Sequence, residues 1–374
     1  DGGGGDDGAS LVQLASVLLP SLQRHRGSAH AATVVALGCE QLAQLVASAS
    51  AAPATHHAAA DAQHVCAEAE ALLTSWMQEL LAVTEVLPAA DCALVLGSWP
   101  ALQEVADGAP HASAALSRLL APSRAPLLAV LVRGVGRLPA DAGQLSAEDV
   151  EEVHMLREEV RGVLRGAVLV DVPSARAGVE LLQPRAASAI EHAMALAASG
   201  APYDESWQEA EAAVHAASAA AKSLGGADCG ALSALMAQTL PAAAALAECM
   251  LTVRADTRGR GLLCTVLVTI GAYAGWLGVA SRQAEVAAVL PLLRASLHVA
   301  EELEAAPDVW PLRSKQEHAG CVALMKLCAA AGPAILAATP LGELLSELHA
   351  VAASAASAAA AAAAAATAAA AAGG

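Results

Sequence analysis

Four side chains of the kinds that bind zinc lie close together near the start of the chain: His56, His57, His64 and Cys66. Zinc sites use imidazole nitrogen and thiolate sulfur as ligands, and they repeat a small set of ligand spacings. The spacing here matches none of those patterns, and the stretch around Pro53 is predicted to be a loop. The sequence therefore predicts solvent-exposed histidines, and we expect no metal site and no cofactor.

The stretch Leu127–Arg133, followed by Gly134 and Gly136, imitates a β-strand entering a dinucleotide-binding loop. The third glycine of that fingerprint is missing, because Pro139 stands in its place, and no alternation of strands and helices surrounds it. Pro126 is instead predicted to be the first residue of a helix. Nucleophile-elbow, Walker and HExxH motifs do not occur in the sequence either. We therefore expect no catalytic residue and predict that the protein is not an enzyme.

Acidic residues form short clusters along the chain. They are Glu148, Asp149, Glu151, Glu152, Glu158, Glu159, Glu301, Glu302 and Glu304. The formal net charge of −17 disfavours direct binding to nucleic acid, because contacts to phosphates need a basic face. Such clusters ordinarily form a solvated helix face. The functional alternative is a surface for a basic protein partner.

The eight cysteines are scattered, with no CxxC pair and no dense framework. This pattern predicts reduced, buried thiols in a protein of the cytoplasm or nucleus. Cys321 and Cys328, on one face of a predicted helix, are expected to pack in the core. No signal peptide is visible after Asp1, where a Met is also missing, so a fragment of a longer protein is expected.

The elements that would position these residues are predicted to be helices. Apolar residues recur at i, i+3 and i+4 along the stretches 72–87, 156–168 and 262–277. Prolines separate most of the helical runs, and convincing strand alternation is absent. The composition lacks Phe, so a core of Leu, Val and Ala with five Trp as the large side chains is expected. The fold class is therefore predicted to be all-α.

Helix-start signals support the same interpretation. Ser206 with Glu209 and Ser314 with Glu317 match the capping box, in which each side chain binds a backbone N–H of the first turn. Ser146 with Asp149 is a weaker version of that signal.

The helices are predicted to stack as pairs. About fourteen helices give about seven pairs of about 40–50 residues, which is the size of HEAT-like repeats. Such a pair cannot cover its own apolar face, so an α-solenoid of HEAT-like antiparallel helix pairs is predicted for residues 10–352. Residues 1–9 are predicted to be a flexible Gly/Asp linker, and residues 353–374 a low-complexity polyalanine tail.

One stretch has the length and composition of a membrane-spanning helix, which is the alternative to a helix of the solenoid. Residues from Gly261 to Ser281 carry no charge, which meets the length rule for a transmembrane helix, and Gly271 and Gly275 form a GxxxG motif. The bulky side chains of this stretch favour one face, however, and neither a second span nor a strong basic flank accompanies it. A buried solenoid helix is therefore predicted, with no membrane insertion.

Several motifs follow one another between residues 156 and 330 of the chain. The best defined is Thr269–Leu277 (TIGAYAGWL), followed after a short loop by Val289–Leu293 (VLPLL). Upstream lie Trp207–Ala213 (WQEAEAA) and Leu156–Leu164 (LREEVRGVL), and downstream lies a cysteine-containing stretch at 319–330. In this order the motifs resemble the importin-β superfamily of nuclear transport receptors, specifically its transportin-3/importin-13 branch.

The resemblance implies a HEAT-repeat receptor that carries protein cargo between cytoplasm and nucleus under control of the GTPase Ran. It implies basic or Ser/Arg-rich cargo, with Ran and nucleoporins as partners of the full-length protein. This chain would be the central segment, since the family's principal Ran-binding repeats lie at its N-terminus. The matching motifs are packing motifs, so they assign no binding residue. A generic HEAT or armadillo scaffold in a phosphatase or trafficking complex is the alternative.

Overall fold

The structure, a computed structural model, describes residues 4–51, 58–134, 136–139, 147–254, 258–297, 310–338 and 346. Every regular element within these ranges is helical, and none is a strand. The predicted all-α class is therefore confirmed. The predicted tail at 353–374 lies outside the described residues.

Sixteen α-helical segments lie in the described part of the chain. The first eight are α1 (Gly4–Leu22), α2 (Ala29–Ala51), α3 (Ala58–Val86), α4 (Ala89–Leu96), α5 (Ser98–Gly108), α6 (Ser113–Arg133), α7 (Ala147–Val163) and α8 (Val172–Ala198). The others are α9 (Ser206–Ala219), α10 (Ala221–Leu224), α11 (Gly230–Ala234), α12 (Leu240–Arg254), α13 (Arg258–Ala272), α14 (Ala274–Leu277), α15 (Gln283–Leu297) and α16 (Trp310–Ala338). Two π-helical turns, Leu164–Val168 and Leu235–Thr239, continue α7 and lead into α12.

The helix count exceeds the predicted fourteen partly because single residues interrupt two helical rods. Ala220 separates α9 from α10, and Tyr273 separates α13 from α14. The chain also divides into two compact units, and it passes from one to the other after Ala189 inside α8, after Pro202 and after Leu224. The first unit comprises Asp1–Ala189 and Tyr203–Leu224, and the second comprises Ile190–Pro202 and Gly225–Gly374.

In the first unit, α2 packs against α3 and α5 packs against α6. Gly38 of α2 lies against Trp76 of α3, and the Ser50 hydroxyl lies 3.7 Å from the Cys66 sulfur, so residue numbers run in opposite directions along the two helices. This pair is therefore antiparallel. Helix α2 also packs against α5, and α3 against α6, so that successive pairs lie in two layers.

The apolar stripe predicted along 72–87 is the buried face of α3. Leu73, Trp76, Met77 and Leu80 are all buried, because they recur at the spacing that brings side chains to one side of a helix. Trp76 fills the space left by the missing side chain at Gly38. The two helices can approach closely at that point.

The second unit repeats this arrangement. Helices α12 and α13 pack as one pair, α15 and α16 as another, and α13 also packs along α16. Gly271 lies against Ala323 and Gly278 lies against Ala330, so residue numbers increase in the same direction along the stretch 271–278 and along α16. This stretch of the chain therefore runs parallel to α16. The small residues at these contacts allow the backbones to come close together.

The stretch considered as a membrane span is not one continuous helix. Helix α13 ends at Ala272, Tyr273 leaves helical geometry with φ −96° and ψ 12°, and α14 is a short segment. Leu262, Val266 and Ile270 are fully buried, which confirms the prediction of a buried helix. Gly271 packs against α16, whereas the second glycine of the motif, Gly275, faces open space.

Four other stretches of the described residues are long and apolar enough to cross a membrane, judged by length and composition alone, so the expectation that no second candidate span accompanies this stretch is wrong. They are Ala29–Ala51, Ser113–Arg133, Gly230–Val253 and His318–Ile335. Between 33% and 50% of each is buried inside the molecule. The absence of membrane insertion stays a prediction.

Several local predictions differ from the structure. Helix α1 begins at Gly4, inside the segment predicted to be a linker, and Gly8 lies against Leu45 and Val65 of the next two helices. Packing on α2 and α3 therefore orders part of a Gly/Asp sequence that has little helix propensity of its own.

Proline positions were also only partly predictable. Pro126, predicted to start a helix, lies inside α6 together with Pro122. Pro184 likewise lies inside α8. Pro333 instead follows a kink in α16, where Ala331 leaves helical geometry with φ −124° and ψ 22°, so this proline separates two helical runs as predicted. A proline removes one backbone hydrogen bond and clashes with the preceding turn, but the buried leucines on either side of the α6 prolines keep the helix continuous.

The predicted capping boxes are wrong where they can be compared. Ser206 is the first residue of α9, its backbone N–H donates to the Asp204 carboxylate at 2.8 Å, and its own hydroxyl makes no cap. Glu209 instead accepts a hydrogen bond from Arg185 at 2.9 Å. Ser314 lies inside α16 and not at its start. The acidic side chain of Asp204, two residues before the helix, therefore satisfies a backbone N–H of the first turn, and the serine does not.

Candidate functional site

Of the histidines and the cysteine considered as metal ligands, only His64 and Cys66 are among the described residues, and these two contact different partners. His64 is exposed and pairs with Glu68 at 3.4 Å, while half-buried Cys66 faces Ser50 and Glu70. His56 and His57 lie outside the described residues. Within the described ranges, no group of three or more His, Cys, Asp or Glu side chains could hold a metal ion.

The stretch that imitates a dinucleotide loop is the C-terminal end of α6. Leu127, Leu128 and Leu131 are buried on this helix, so the predicted absence of a strand here is confirmed. The N–H of Gly134 donates to the Val130 carbonyl and that of Gly136 to the Leu131 carbonyl. These N–H groups close the end of a helix and so are not available to a phosphate.

None of the eight cysteines, all of which lie in the described ranges, forms a disulfide. Cys321 is exposed, so the prediction that it packs in the core is wrong, while Cys328 is half-buried and burial raises its pKa. The two lie on one helix face in α16, but that face is only partly covered. The spacing of apolar residues predicts on which face of a helix a residue lies, but it does not predict how much of that face neighbouring helices cover.

We expect Cys321 to react with iodoacetamide under native conditions at pH 8 at least about tenfold faster than Cys39 or Cys92, because thiolates and not thiols are alkylated. Cys39 is fully buried, and burial raises its pKa. Burial, with a smaller contribution from Asp91, raises the pKa of Cys92 to about 11. Timed quenching and peptide mass spectrometry measure the rates. In denaturant the three rates should converge, and equal rates in the native protein would contradict the described burial.

The acidic cluster on α7 is a solvated helix face, as predicted. Glu148, Asp149, Glu151, Glu152, Glu158 and Glu159 are all exposed. The second cluster, Glu301, Glu302 and Glu304, lies outside the described residues.

The most unusual polar arrangement is one that the sequence did not predict. Arg157 of α7 makes two hydrogen bonds to the Glu211 carboxylate of α9, at 2.9 and 2.6 Å. The side chains are 9% and 0% exposed, so this is a buried ion pair. We call Arg157, Arg161, Glu211 and His215 the α7–α9 seam. A buried pair with two-point geometry is stable only when both partners are present.

His215 and Arg161 form the other half of the seam. The Arg161 guanidinium lies 2.9 Å from Nε2 of His215 and 2.6 Å from the Glu158 carboxylate. An arginine can only donate, so Nε2 of His215 is the acceptor and the ring is neutral. Burial, followed by Arg157, Arg161, Arg165 and His154, holds the pKa of His215 well below its usual value. Burial likewise lowers the pKa of Arg161.

The seam also fixes the turn after α6. Arg157 donates to the Gly136 carbonyl at 2.8 Å, and Gln208 donates to the Leu138 carbonyl at 2.7 Å. Arg137 from the same turn pairs with Glu205 at 2.8 Å. Helices α7 and α9 therefore hold the turn through both its backbone and its side chains.

This turn forms one wall of a cleft of about 600 Å³ in the first unit. The described lining residues are Thr84, Glu85, Leu87, Val130, Arg133, Gly134, Arg137, Leu138, Pro139, Val153, Leu156 and Gln208. The Thr84 hydroxyl donates to the Leu80 carbonyl, and Arg133 and Glu85 lie 3.5 Å apart, both more than half exposed. Apolar walls with charged groups at the rim suit non-covalent binding of an apolar side chain.

A sequence signal for the seam exists in retrospect. Arg157 stands three residues before Val160 and seven before Leu164, so it occupies a position of the buried α7 stripe. A charged residue in such a position needs a partner of opposite charge. Glu211 is the corresponding residue on α9, where all residues from Trp207 to Ala219 except Glu209 are buried.

No protein-family model matches this chain, and no curated protein shows significant similarity to it. Fold and site together therefore define only a class. The chain is an all-α protein whose helices pack as successive pairs within each unit, with a buried ionic seam in the first.

Proposed function

We propose that this chain is the central segment of a karyopherin-β nuclear import receptor, which binds protein cargo for Ran-dependent transport between cytoplasm and nucleus. The observation that carries the proposal is the packing of the second unit. Helices α12 and α13 form one pair and α15 and α16 the next, with α13 running parallel to α16. Helix pairs stacked with such parallel neighbours form HEAT-type solenoids, whose long surfaces bind other proteins.

Burial of the motif residues supports the same proposal. Trp207, Tyr273, Trp276 and Leu290 are all buried, with 1–2% of each residue exposed. Packing motifs of a repeat are expected inside the core, because each repeat must bury its apolar face against its neighbours. The resemblance to the transportin-3/importin-13 branch thus rests on residues with a packing role.

The charge of the surface supports a basic cargo. The exposed carboxylates of α7 form a negatively charged face in a chain of formal net charge −17. Attraction between opposite charges speeds association and selects basic partners at low and moderate ionic strength. Ser/Arg-rich proteins are basic partners of this kind.

The test is a pull-down from nuclear extract with the full-length protein that contains this chain. We expect retention of Ran loaded with a GTP analogue, no retention of Ran loaded with GDP, and release of bound Ser/Arg-rich cargo when Ran-GTP is added. The protein should be found in both cytoplasm and nucleus. Failure to retain Ran-GTP and nuclear cargo would overturn the proposal, and stable capture of a phosphatase or trafficking complex instead would favour a generic HEAT scaffold.

A further inference from the structure

A neutral histidine is buried among positive charges at the α7–α9 seam. The charged and titratable groups that face His215 are Arg157, Arg161 and His154 of α7 and Arg165 of the adjoining π-turn. Glu211 lies one turn earlier on α9, and both of its oxygens accept hydrogen bonds from Arg157. The surroundings therefore favour the uncharged ring.

Protonation would remove the main contact of this ring. Nε2 of His215 accepts the hydrogen bond from Arg161 at 2.9 Å. An added proton on Nε2 would place two positively charged hydrogen-bond donors against each other, and they would repel. His215 is 5% exposed, so water cannot screen the repulsion while the helices stay together. The charged ring can be solvated only if α7 and α9 separate.

Separation would also free the turn that walls the cleft. Arg157 and Gln208, one on each helix, hold the carbonyls of Gly136 and Leu138. Both donors lose their positions if α7 moves away from α9. A local change at the ring would thus reach the cleft through two backbone hydrogen bonds.

We propose that the α7–α9 seam is an acid-sensitive contact, in which protonation of His215 separates α7 from α9 and releases the turn at residues 136–139. This proposal does not depend on the proposed transport function, because every group that it uses lies inside the first unit. The seam thus holds this wall of the cleft in place at neutral pH and releases it in acid. Opening binds one proton, so its equilibrium constant rises about tenfold for each pH unit below the usual value of His215.

The experiment compares hydrogen exchange of the α9 backbone amides in the wild-type protein and in His215→Gln, at the same series of pH values. A glutamine oxygen can accept the Arg161 hydrogen bond but does not titrate. We expect the ratio of the wild-type to the variant exchange rate to be about thirtyfold higher at pH 5 than at pH 7.5. This is the increase that follows when opening binds one proton at a histidine whose usual pKa is 6.5. His111→Gln, at an exposed histidine outside the seam, serves as the matched control and should keep the wild-type pH dependence.

A ratio that stays constant across the series would overturn the proposal. The second measurement needs no variant, and so decides the matter even if His215→Gln does not fold. It follows the His215 ring by NMR during acidification. Titration of that ring near pH 6.5 while the α7 and α9 amides remain protected would also overturn it, whereas simultaneous titration and loss of protection would support it.

Discussion

Replacing Arg157 with Met is expected to lower the free energy of unfolding by about 3–5 kcal/mol, which is the usual cost of removing one partner from a buried ion pair. The Glu211 carboxylate is fully buried and would lose the two hydrogen bonds that Arg157 donates to it. The variant also releases the Gly136 carbonyl. Urea denaturation followed by circular dichroism measures the change.

Two controls make this result specific to the pair. Arg118→Met makes the same chemical change on the exposed side of α6 and should alter the free energy by no more than about 0.5 kcal/mol. The double variant Arg157→Met with Glu211→Met removes both charges and should recover a large part of the loss. A single variant as stable as the wild type would show that the buried pair is not formed in solution.

Gly38→Ala is expected to lower the free energy of unfolding by about 1–3 kcal/mol, although alanine ordinarily stabilises a helix by about 1 kcal/mol relative to glycine. A Cβ at this position would overlap the Trp76 ring. That ring is 1% exposed and cannot move into solvent without opening the α2–α3 contact. The steric cost therefore exceeds the gain in helix propensity.

The matched control for this prediction is Gly97→Ala. Gly97 has φ −61° and ψ −27°, and a Cβ there would meet nothing within 4 Å. Unchanged or slightly higher stability, by about 0.4–1 kcal/mol, is expected from the reduced freedom of the unfolded chain. In a Trp76→Leu background, Gly38→Ala should become much less costly. If both alanine variants behaved alike, the close packing of Gly38 on Trp76 would be refuted.

Helix positions could be predicted from the sequence wherever one face of a helix is buried. The buried stripe of α3 around Trp76 follows directly from apolar spacing, since each buried residue is one turn from the next. The break at Tyr273 could not be predicted, because the stretch around it is uncharged and its two flanking glycines, Gly271 and Gly275, fit the GxxxG motif of a continuous helix as well as a break. Pro122 and Pro126 gave the wrong signal, because burial of the surrounding leucines outweighed their local preference.

The seam could not be predicted because its partners are far apart in sequence. Arg157 and Glu211 are separated by 54 residues, and so are Arg161 and His215. Local pattern shows that Arg157 stands on a buried face, but only the packing of α7 on α9 selects its partner. In the same way, the exposed acidic face of α7 could be predicted from spacing, whereas the cleft depends on a turn held by contacts from two other helices.

The π-turns bear on where this chain can lose a single residue without disturbing its core. The N–H of Leu169 bonds to the Leu164 carbonyl and that of Leu240 to the Leu235 carbonyl, so each turn holds one residue more than an α-helical turn. Deleting a residue elsewhere in a buried rod would rotate everything beyond it by about 100° and bring polar groups into the core. At the π-turn Leu235–Thr239, which joins α11 directly to α12, the same deletion restores ordinary winding and leaves both flanks in phase. The other π-turn, Leu164–Val168, ends its helix and has no helical flank beyond it. Length polymorphism of a single residue among orthologues should therefore accumulate at Leu235–Thr239.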